Sequence, residues 1–247
     1  MESWQKIIKI SSVDSTNVYF SNLLKESEYV EGSIVSALFQ SKGKGLGQNT
    51  WESEKAKNLI LSLVLYPDFV PLEKNFLLSK AISLGLVNYL HAKTNHIKIK
   101  WPNDIYYQDK KIAGILIENS IKGSTIHRTI IGIGLNLNQK SFLSDAPNPV
   151  SLSQITEKNY SIDQEIVKLR QNIRFFYDKL KAGKFEEINK EYLKCLYRFN
   201  EIHLFRSENE TFKGKIIGVN EFGHLQILTE DQRTLEFDFK EIEFILP

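Results

Sequence analysis

Five short segments of this chain combine residue types that could do chemistry. Gly43-Lys44-Gly45-Leu46-Gly47-Gln48 sets glycines on alternate positions directly after an apolar run. Such a backbone turns tightly and can bring its N–H groups against an anion, with Lys44 adding a positive charge. It matches neither the phosphate-loop pattern nor the dinucleotide fingerprint, so read alone it is a flexible surface loop as readily as an anion site. In Lys100-Trp101-Pro102-Asn103-Asp104 a proline pins the chain between an aromatic and two polar residues at a strand end, where sites are often built. Taken singly, Trp101 reads as core and Asp104 as a turn residue or cap. In Lys111-Ile112-Ala113-Gly114 the lysine alone reads as solvated, and the small residues allow close packing by the protein or by a ligand lying on the strand. Gly132-Ile133-Gly134-Leu135-Asn136-Leu137-Asn138 closes a strand, and Asn136 either caps that end or offers its amide to a nucleotide or phosphate oxygen. Asp14-Ser15-Thr16-Asn17 suits a helix N-terminus with Asp14 or Ser15 as cap.

The surrounding patterns must position these segments. Residues 6–10, 33–40 and 58–66 read as strands, the last apolar enough to be buried on both faces. Helical spacing runs over 76–93 through Leu77, Ile82, Leu86 and Leu90. Strands follow at 97–106, 111–118 and 125–138, with a hairpin at Gln108-Asp109-Lys110. Residues 145–149, with two prolines, read as loop, and helices return at 162–180 and 185–199. After residue 200 five short strand-like segments with turn signals between them suggest a small barrel-like domain. The expected fold is α+β: a mixed β-sheet catalytic domain with flanking helices over 1–190, then a small C-terminal β-barrel over 191–247.

Bulk properties narrow the classes. A chain that is 42% hydrophobic and 25% charged has the composition of a soluble globular protein with a core of useful size. Its 32 basic and 30 acidic residues leave a formal charge of +2, no general case for gripping nucleic acid, so any anion site must be local. One cysteine, Cys195, excludes an internal disulfide and leaves too few thiols for a cysteine-based zinc site. The first residues lack the apolar run of a signal peptide, and the apolar stretch at 59–66, broken by Ser62, is far short of the roughly 20 residues that span a membrane. A cytoplasmic protein with no membrane partner is the expectation.

Taken together, in order, the five segments resemble the catalytic domain of biotin–protein ligases. The match covers about the first two-thirds of the chain, and the tail resembles the small β-barrel that ends those enzymes. Its most specific part is the Lys-Trp-Pro-Asn-Asp run followed closely by Lys-Ile-Ala-Gly-Ile-Leu-Ile-Glu and then Gly-Ile-Gly-Leu-Asn. The resemblance is to the group without an N-terminal helix-turn-helix, which implies no transcriptional repression and no nucleic-acid partner.

The resemblance implies two half-reactions: biotin and ATP give biotinyl-5′-AMP and pyrophosphate, and a lysine of a biotin carboxyl carrier protein then takes the biotinyl group. Lys111 is expected to offset the repulsion between carboxylate and phosphate, with Mg²⁺ on the nucleotide phosphates sharing that task. Asp104 is expected to orient the acceptor ammonium and take its proton as attack proceeds. Biotin is expected to meet Ser15, Thr16, Asn17 and Gln40 at its ureido group, Gly114 and Leu116 beside its rings, and Gly43, Lys44, Gly45 and Lys111 elsewhere. Lys44, Trp51, Asn103 and Asn136 are the expected ATP contacts, and no residue is expected to ligate a metal. The loop departs from the family pattern: Lys44 replaces an arginine, and Leu46, Gly47 and Gln48 stand where further basic residues are common. A lipoate- or octanoate-activating enzyme and a non-catalytic biotin sensor are the rival readings, and both a monomer and a homodimer remain open.

Overall fold

The computed structural model describes residues 3–143, 148–208 and 210–246. The chain opens with β1 (Ile7–Ile10), which pairs in parallel with β2 (Ile34–Ala37) across a crossover helix, α1 (Thr16–Glu26). β3 (Leu59–Leu65) runs antiparallel to β2, and α2 (Phe76–His91) follows. Four antiparallel strands complete the sheet: β4 (Ile97–Lys100), β5 (Asp104–Tyr107), β6 (Lys110–Lys122) and β7 (Thr125–Leu135). Their order across the sheet is β1-β2-β3-β7-β6-β5-β4, which makes β3 an interior strand, in line with the burial of all seven of its residues. A short helix α3 (Leu152–Thr156), with Ser151 and Gln154 forming a capping box, leads to α4 (Ile162–Lys181) and α5 (Phe185–Cys195).

The two faces of the sheet have different covers. Odd-numbered Leu59, Leu61, Leu63, Ile131, Ile133 and Ile115 join residues of α2, α4 and α5 in the main core. On the other face α1 buries Phe20 against Val35 and Val64. Burial of each such side chain stabilises by roughly 1.5–3 kcal/mol. α1 covers only part of its face: Asn17 packs against Gly132, while Gly114, Leu116 and Gly134 line a cavity beside the start of the helix.

A second, five-stranded antiparallel sheet follows, made of β8 (Ile202–Ser207), β9 (Glu210–Val219), β10 (Leu225–Thr229), β11 (Thr234–Phe237) and β12 (Glu243–Phe244). It wraps around Phe205, Ile216, Ile227 and Phe237, the small barrel-like unit read from the sequence. The two units share one apolar core and several polar ties. Trp101 Nε1 donates to the Gly223 carbonyl at 2.8 Å, and the Phe239 ring lies 5.5 Å from that of Trp101.

Three expectations need correction. Residues 97–106 are two strands, because Trp101, Pro102 and Asn103 form a tight turn that sets Lys100 opposite Asp104. Pro102 has no N–H to give a ladder, which is consistent with the break there. The last helix ends at Cys195 instead of reaching 199, since the Tyr197 N–H leaves the helical pattern to donate to the Ile99 carbonyl at 2.8 Å. The short helix α3 was not anticipated. Of the loop expected at 145–149, all but Asn148 and Pro149 lies outside the described residues.

Lys80 is a further tie between the units. Only 4% exposed, it donates to Asn189 Oδ1 at 2.9 Å and to the Val219 carbonyl of β9 at 3.4 Å. Burial holds its pKa down to about 8, against an ordinary 10.5. The folded protein therefore releases this proton before the unfolded chain does, and stability should rise with pH between those values. Comparing urea midpoints at pH ~7.5 and ~9.5 in the wild type and in Lys80→Met tests this linkage. The rise should be smaller in the variant; an equal rise in both would show that other groups cause it.

Candidate active site

Strand alternation makes the floor of the site. On β6 and β7, Ala113, Ile115, Ile131, Ile133 and Leu135 point into the main core, which leaves Gly114, Leu116, Gly132 and Gly134 facing the other way. Gly114 stands directly opposite Gly134, and Leu116 opposite Gly132. The missing side chains of Gly114, Gly132 and Gly134 leave a trench, part of a cavity of about 290 Å³. Its walls are the start of α1, the 43–51 loop, the β4–β5 turn and the barrel residues Lys240, Ile242 and Phe244.

The α1 wall is neutral and tightly bonded. Gln40 Oε1 accepts from the Thr16 N–H at 2.7 Å and from Thr16 Oγ1 at 3.0 Å, which turns its donor end, Nε2, away from the helix. Ser62 Oγ on β3 lies 2.8 Å from Thr16 Oγ1 and 2.5 Å from Asn17 Oδ1, while Asn17 Nδ2 donates to Glu118 Oε2 at 2.7 Å. Gly132 allows this approach, since a methyl group there would fall 2.6 Å from Asn17 Oδ1. Ser15 occupies the N-cap position of α1 but makes no side-chain capping bond, so its hydroxyl is left for the cavity it lines. Asp14 instead accepts from Ser41 Oγ at 2.5 Å and pairs with Lys42 at 3.4 Å. Those bonds lower its pKa, Ser41 first, and tie the loop to α1.

The opposite wall is charged. Lys111 Nζ lies 2.7 Å from Asp104 Oδ1, with both side chains about four-fifths buried at 23% and 18% exposure. The strand register explains the meeting. Asp104 pairs with Gly114 and Ile105 with Ala113, but Tyr106 pairs with Lys111, so Ile112 is an extra residue. This bulge resets the alternation and brings Lys111 to the side of Asp104 and Gly114; without it the lysine would follow Ala113 toward the core. Behind the pair, Lys100 Nζ stands 4.5 Å from the centroid of the Phe244 ring, and burial lowers its pKa. Lys44, Lys100, Lys111 and Lys240 line the cavity against the single carboxylate of Asp104, an arrangement suited to an anion.

The 43–51 loop is itself a small hairpin, with the Gly45 N–H donating to Asn49 at 2.7 Å and the Trp51 N–H to Gly43 at 2.9 Å. Gly43 serves that closure rather than the cavity, because a methyl group there would fall 2.5 Å from the Trp51 carbonyl oxygen. The Trp51 ring lies on the trench floor: a methyl group at Gly134 would fall 2.3 Å from its Cε2, and one at Gly114 would fall 3.1 Å from its Cζ3. Its buried Nε1 has no hydrogen-bond partner.

Among the expected site residues, Ser15, Thr16, Asn17, Gln40, Lys44, Gly45, Trp51, Asn103, Asp104, Lys111, Gly114 and Leu116 meet around the cavity, whereas Gly43 and Asn136 do not line it. Asn103 Nδ2 donates to the Ile115 carbonyl at 2.8 Å, fastening the β4–β5 turn to β6. Asn136 is 3% exposed, and its backbone bonds to Ile112 and Leu152. Ser62 and Lys240 were not anticipated. A serine at a trench-facing position of an otherwise apolar strand was a usable signal for Ser62; nothing local marked Lys240.

This fold and this constellation define a ligase domain of known type. Residues 10–136 match the biotin/lipoate A/B protein ligase family, and the chain belongs to that family. The structure superposes on a biotin protein ligase from Aquifex aeolicus in complex with biotin and ATP, with a TM-score of 0.78 and 27% identity over 97% of this chain and 98% of that one. In sequence it is 29% identical to a bifunctional ligase/repressor BirA of Bacillus spizizenii, over 90% of this chain and 68% of that protein. It is also 34% identical to a biotin–[acetyl-CoA-carboxylase] ligase of Paracoccus denitrificans, over 52% of this chain and 53% of that protein.

Ser62→Ala tests the neutral wall. It removes the hydroxyl between Thr16 Oγ1 and Asn17 Oδ1 in a fully buried position, and leaving such acceptors without a donor costs about 1–3 kcal/mol. Denaturant unfolding should show a loss in that range. No loss would mean that the network has another donor.

Proposed function

We propose that this protein is an ATP-dependent biotin–protein ligase, which joins biotin to one lysine of a biotin carboxyl carrier protein by way of biotinyl-5′-AMP. The observation that carries the reading is the glycine-floored trench with a neutral hydrogen-bonding wall at one side and the Lys111–Asp104 pair at the other. It offers a place for an apolar bicyclic ring with a polar ureido head and, beside it, a cation for a carboxylate and a phosphate. The Aquifex complex and the family match support the same assignment.

In the first half-reaction an oxygen of the biotin carboxylate bonds to the α-phosphorus, the bond from that phosphorus to the bridging oxygen breaks, and pyrophosphate leaves with the electron pair. Two anions must approach, and the Lys111 ammonium offsets their repulsion inside a site shielded from water. Ser15 Oγ and Gln40 Nε2 hold the ureido group, with Thr16 and Asn17 keeping them in place and Gly114 and Leu116 beneath the rings. Lys44 and Gly45 close over the ligand, and Gly43 lets that hairpin form. In this account the Trp51 ring moves from Gly134 to cover the nucleotide. That shift opens the way to Asn136, while Asn103 contributes through Oδ1, since Nδ2 is held by Ile115. Among the described residues no group of three or more His, Cys, Asp or Glu side chains could hold a metal ion, so Mg²⁺ would arrive on the nucleotide phosphates.

The second half-reaction needs a neutral amine, whereas a free lysine has a pKa of about 10.4. Asp104, with a reference value near 3.9, cannot hold that proton beforehand. It orients the incoming ammonium, in place of Lys111. One proton passes to solvent to free the nitrogen lone pair, and Asp104 takes the second as nitrogen bonds to the carbonyl carbon and AMP departs with the electron pair of the broken C–O bond. The reading also places the protein in the cytoplasm, with its thiol free and no nucleic-acid partner. In support, no helix among the described residues is long and apolar enough to cross a membrane.

Two measurements divide the roles. Lys111→Ala should slow biotin-dependent pyrophosphate release from ATP by roughly two to three decades, measured below a melting temperature that should also fall because Asp104 loses its partner. Near-normal release would remove Lys111 from the first step. Asp104→Asn, supplied with purified biotinyl-5′-AMP, should transfer biotin to the acceptor more slowly than the wild type, and an unchanged rate would confine Asp104 to the first step or to structure.

A further inference from the structure

The cavity holds a cation that comes from the barrel rather than from the ligase domain. Lys240 lies on the turn before β12, and its side chain fills the space beside Gly47 at the tip of the 43–51 hairpin. A methyl group on Gly47 would fall 2.2 Å from Lys240 Nζ and 2.7 Å from its Cε. Gly47 has φ +67°, and Lys240 itself sits in the left-handed region at φ +74°, an uncommon state for a lysine. The turn that holds it is bonded to itself. The Asp238 N–H donates to Glu241 Oε2 at 2.7 Å, the Phe239 N–H to Asp238 Oδ1 at 2.6 Å and the Glu241 N–H to the Asp238 carbonyl at 3.2 Å. The Phe239 ring packs 5.5 Å from Trp101 and 6.2 Å from Phe76, which anchors the turn to the ligase domain. The two neighbouring acids thus accept from their own backbone, and among the described residues Lys240 forms no ion pair. An unneutralised ammonium, on an exposed residue whose backbone turn is held in place, lines a cavity that already suits anions.

We infer that Lys240 binds the β- and γ-phosphates of ATP and stabilises the departing pyrophosphate, a residue from the C-terminal unit completing the phosphate site over a loop that is bare at Gly47. This deepens the ligase reading and rests on it. The two lysines divide the nucleotide: Lys111 stands beside the trench floor at Gly114, where carboxylate and α-phosphate meet, and Lys240 stands at the hairpin tip. As the bond to the α-phosphorus breaks, negative charge gathers on the leaving oxygens, and an ammonium already in place stabilises it without rearrangement. The second half-reaction contains no β- or γ-phosphate, so Lys240 has no partner there.

The test uses the full chain with Lys240→Ala and Lys240→Arg, measuring each half-reaction alone. For biotin-dependent pyrophosphate release, kcat/KM for ATP should fall about tenfold in Lys240→Ala and recover most of that in Lys240→Arg, the scale of one charge-assisted hydrogen bond. Transfer from purified biotinyl-5′-AMP to the acceptor should change less than about twofold. An unchanged kcat/KM for ATP overturns the inference. So does an equal fall in both half-reactions, which would mean that Lys240 only holds the loop. Pyrophosphate release that is absent even in the wild type, with or without biotin, overturns the ligase reading itself.

Discussion

An ammonium and a carboxylate held 2.7 Å apart in a partly closed cavity govern how this site can work. Lys111 and Asp104 neutralise one another at rest, so neither is an isolated charge in a poor solvent. Each can leave the other only for a ligand of matching sign: anions for the lysine, the acceptor's ammonium for the aspartate. The pair therefore makes the two proposed half-reactions alternatives at one place. It exists because a single extra residue, Ile112, shifts the register of β6 against β5.

The rest of the site divides labour around that pair. Facing glycines on β6 and β7 leave room for an apolar ligand without any loss of backbone hydrogen bonding, since the register between these strands is unbroken from Ala113 to Ser120. The neutral wall spends most of its donors and acceptors on its own rigidity. Ser62, Thr16, Asn17 and Glu118 satisfy one another, so that the few groups left over are aimed rather than mobile. The barrel completes the enclosure by lending Lys240, Ile242 and Phe244 to the cavity, and it is fixed there by Trp101, Phe239 and Lys80.

Much of this was legible in the sequence, for physical reasons that can be named. Strand periodicity of two and helix periodicity near 3.6 located most elements, and an apolar run as continuous as Leu59–Leu65 reads as a strand buried on both faces, which β3 is. The motif segments were legible because their residue types, glycines and paired polar residues beside apolar strands, are costly unless a site requires them. Register was not legible. The bulge at Ile112 and the turn that splits β4 from β5 depend on pairing with a neighbour, and the same local sequence suits a straight strand. Lys240 was hidden for a different reason: its place in the cavity comes from packing between units almost 200 residues apart in the chain, as Gly47 and Lys240 show. The Trp51 ring on the trench floor likewise follows from which glycines face it.

The central claim, that this trench turns one particular acid into its adenylate, is tested most directly by offering the purified protein ATP with biotin and lipoate together at equal concentration. The acyl adenylate bound to the protein is then identified by mass spectrometry. The account predicts biotinyl-5′-AMP in large excess. Lipoyl-5′-AMP as the main product, or ATP left intact, would contradict it.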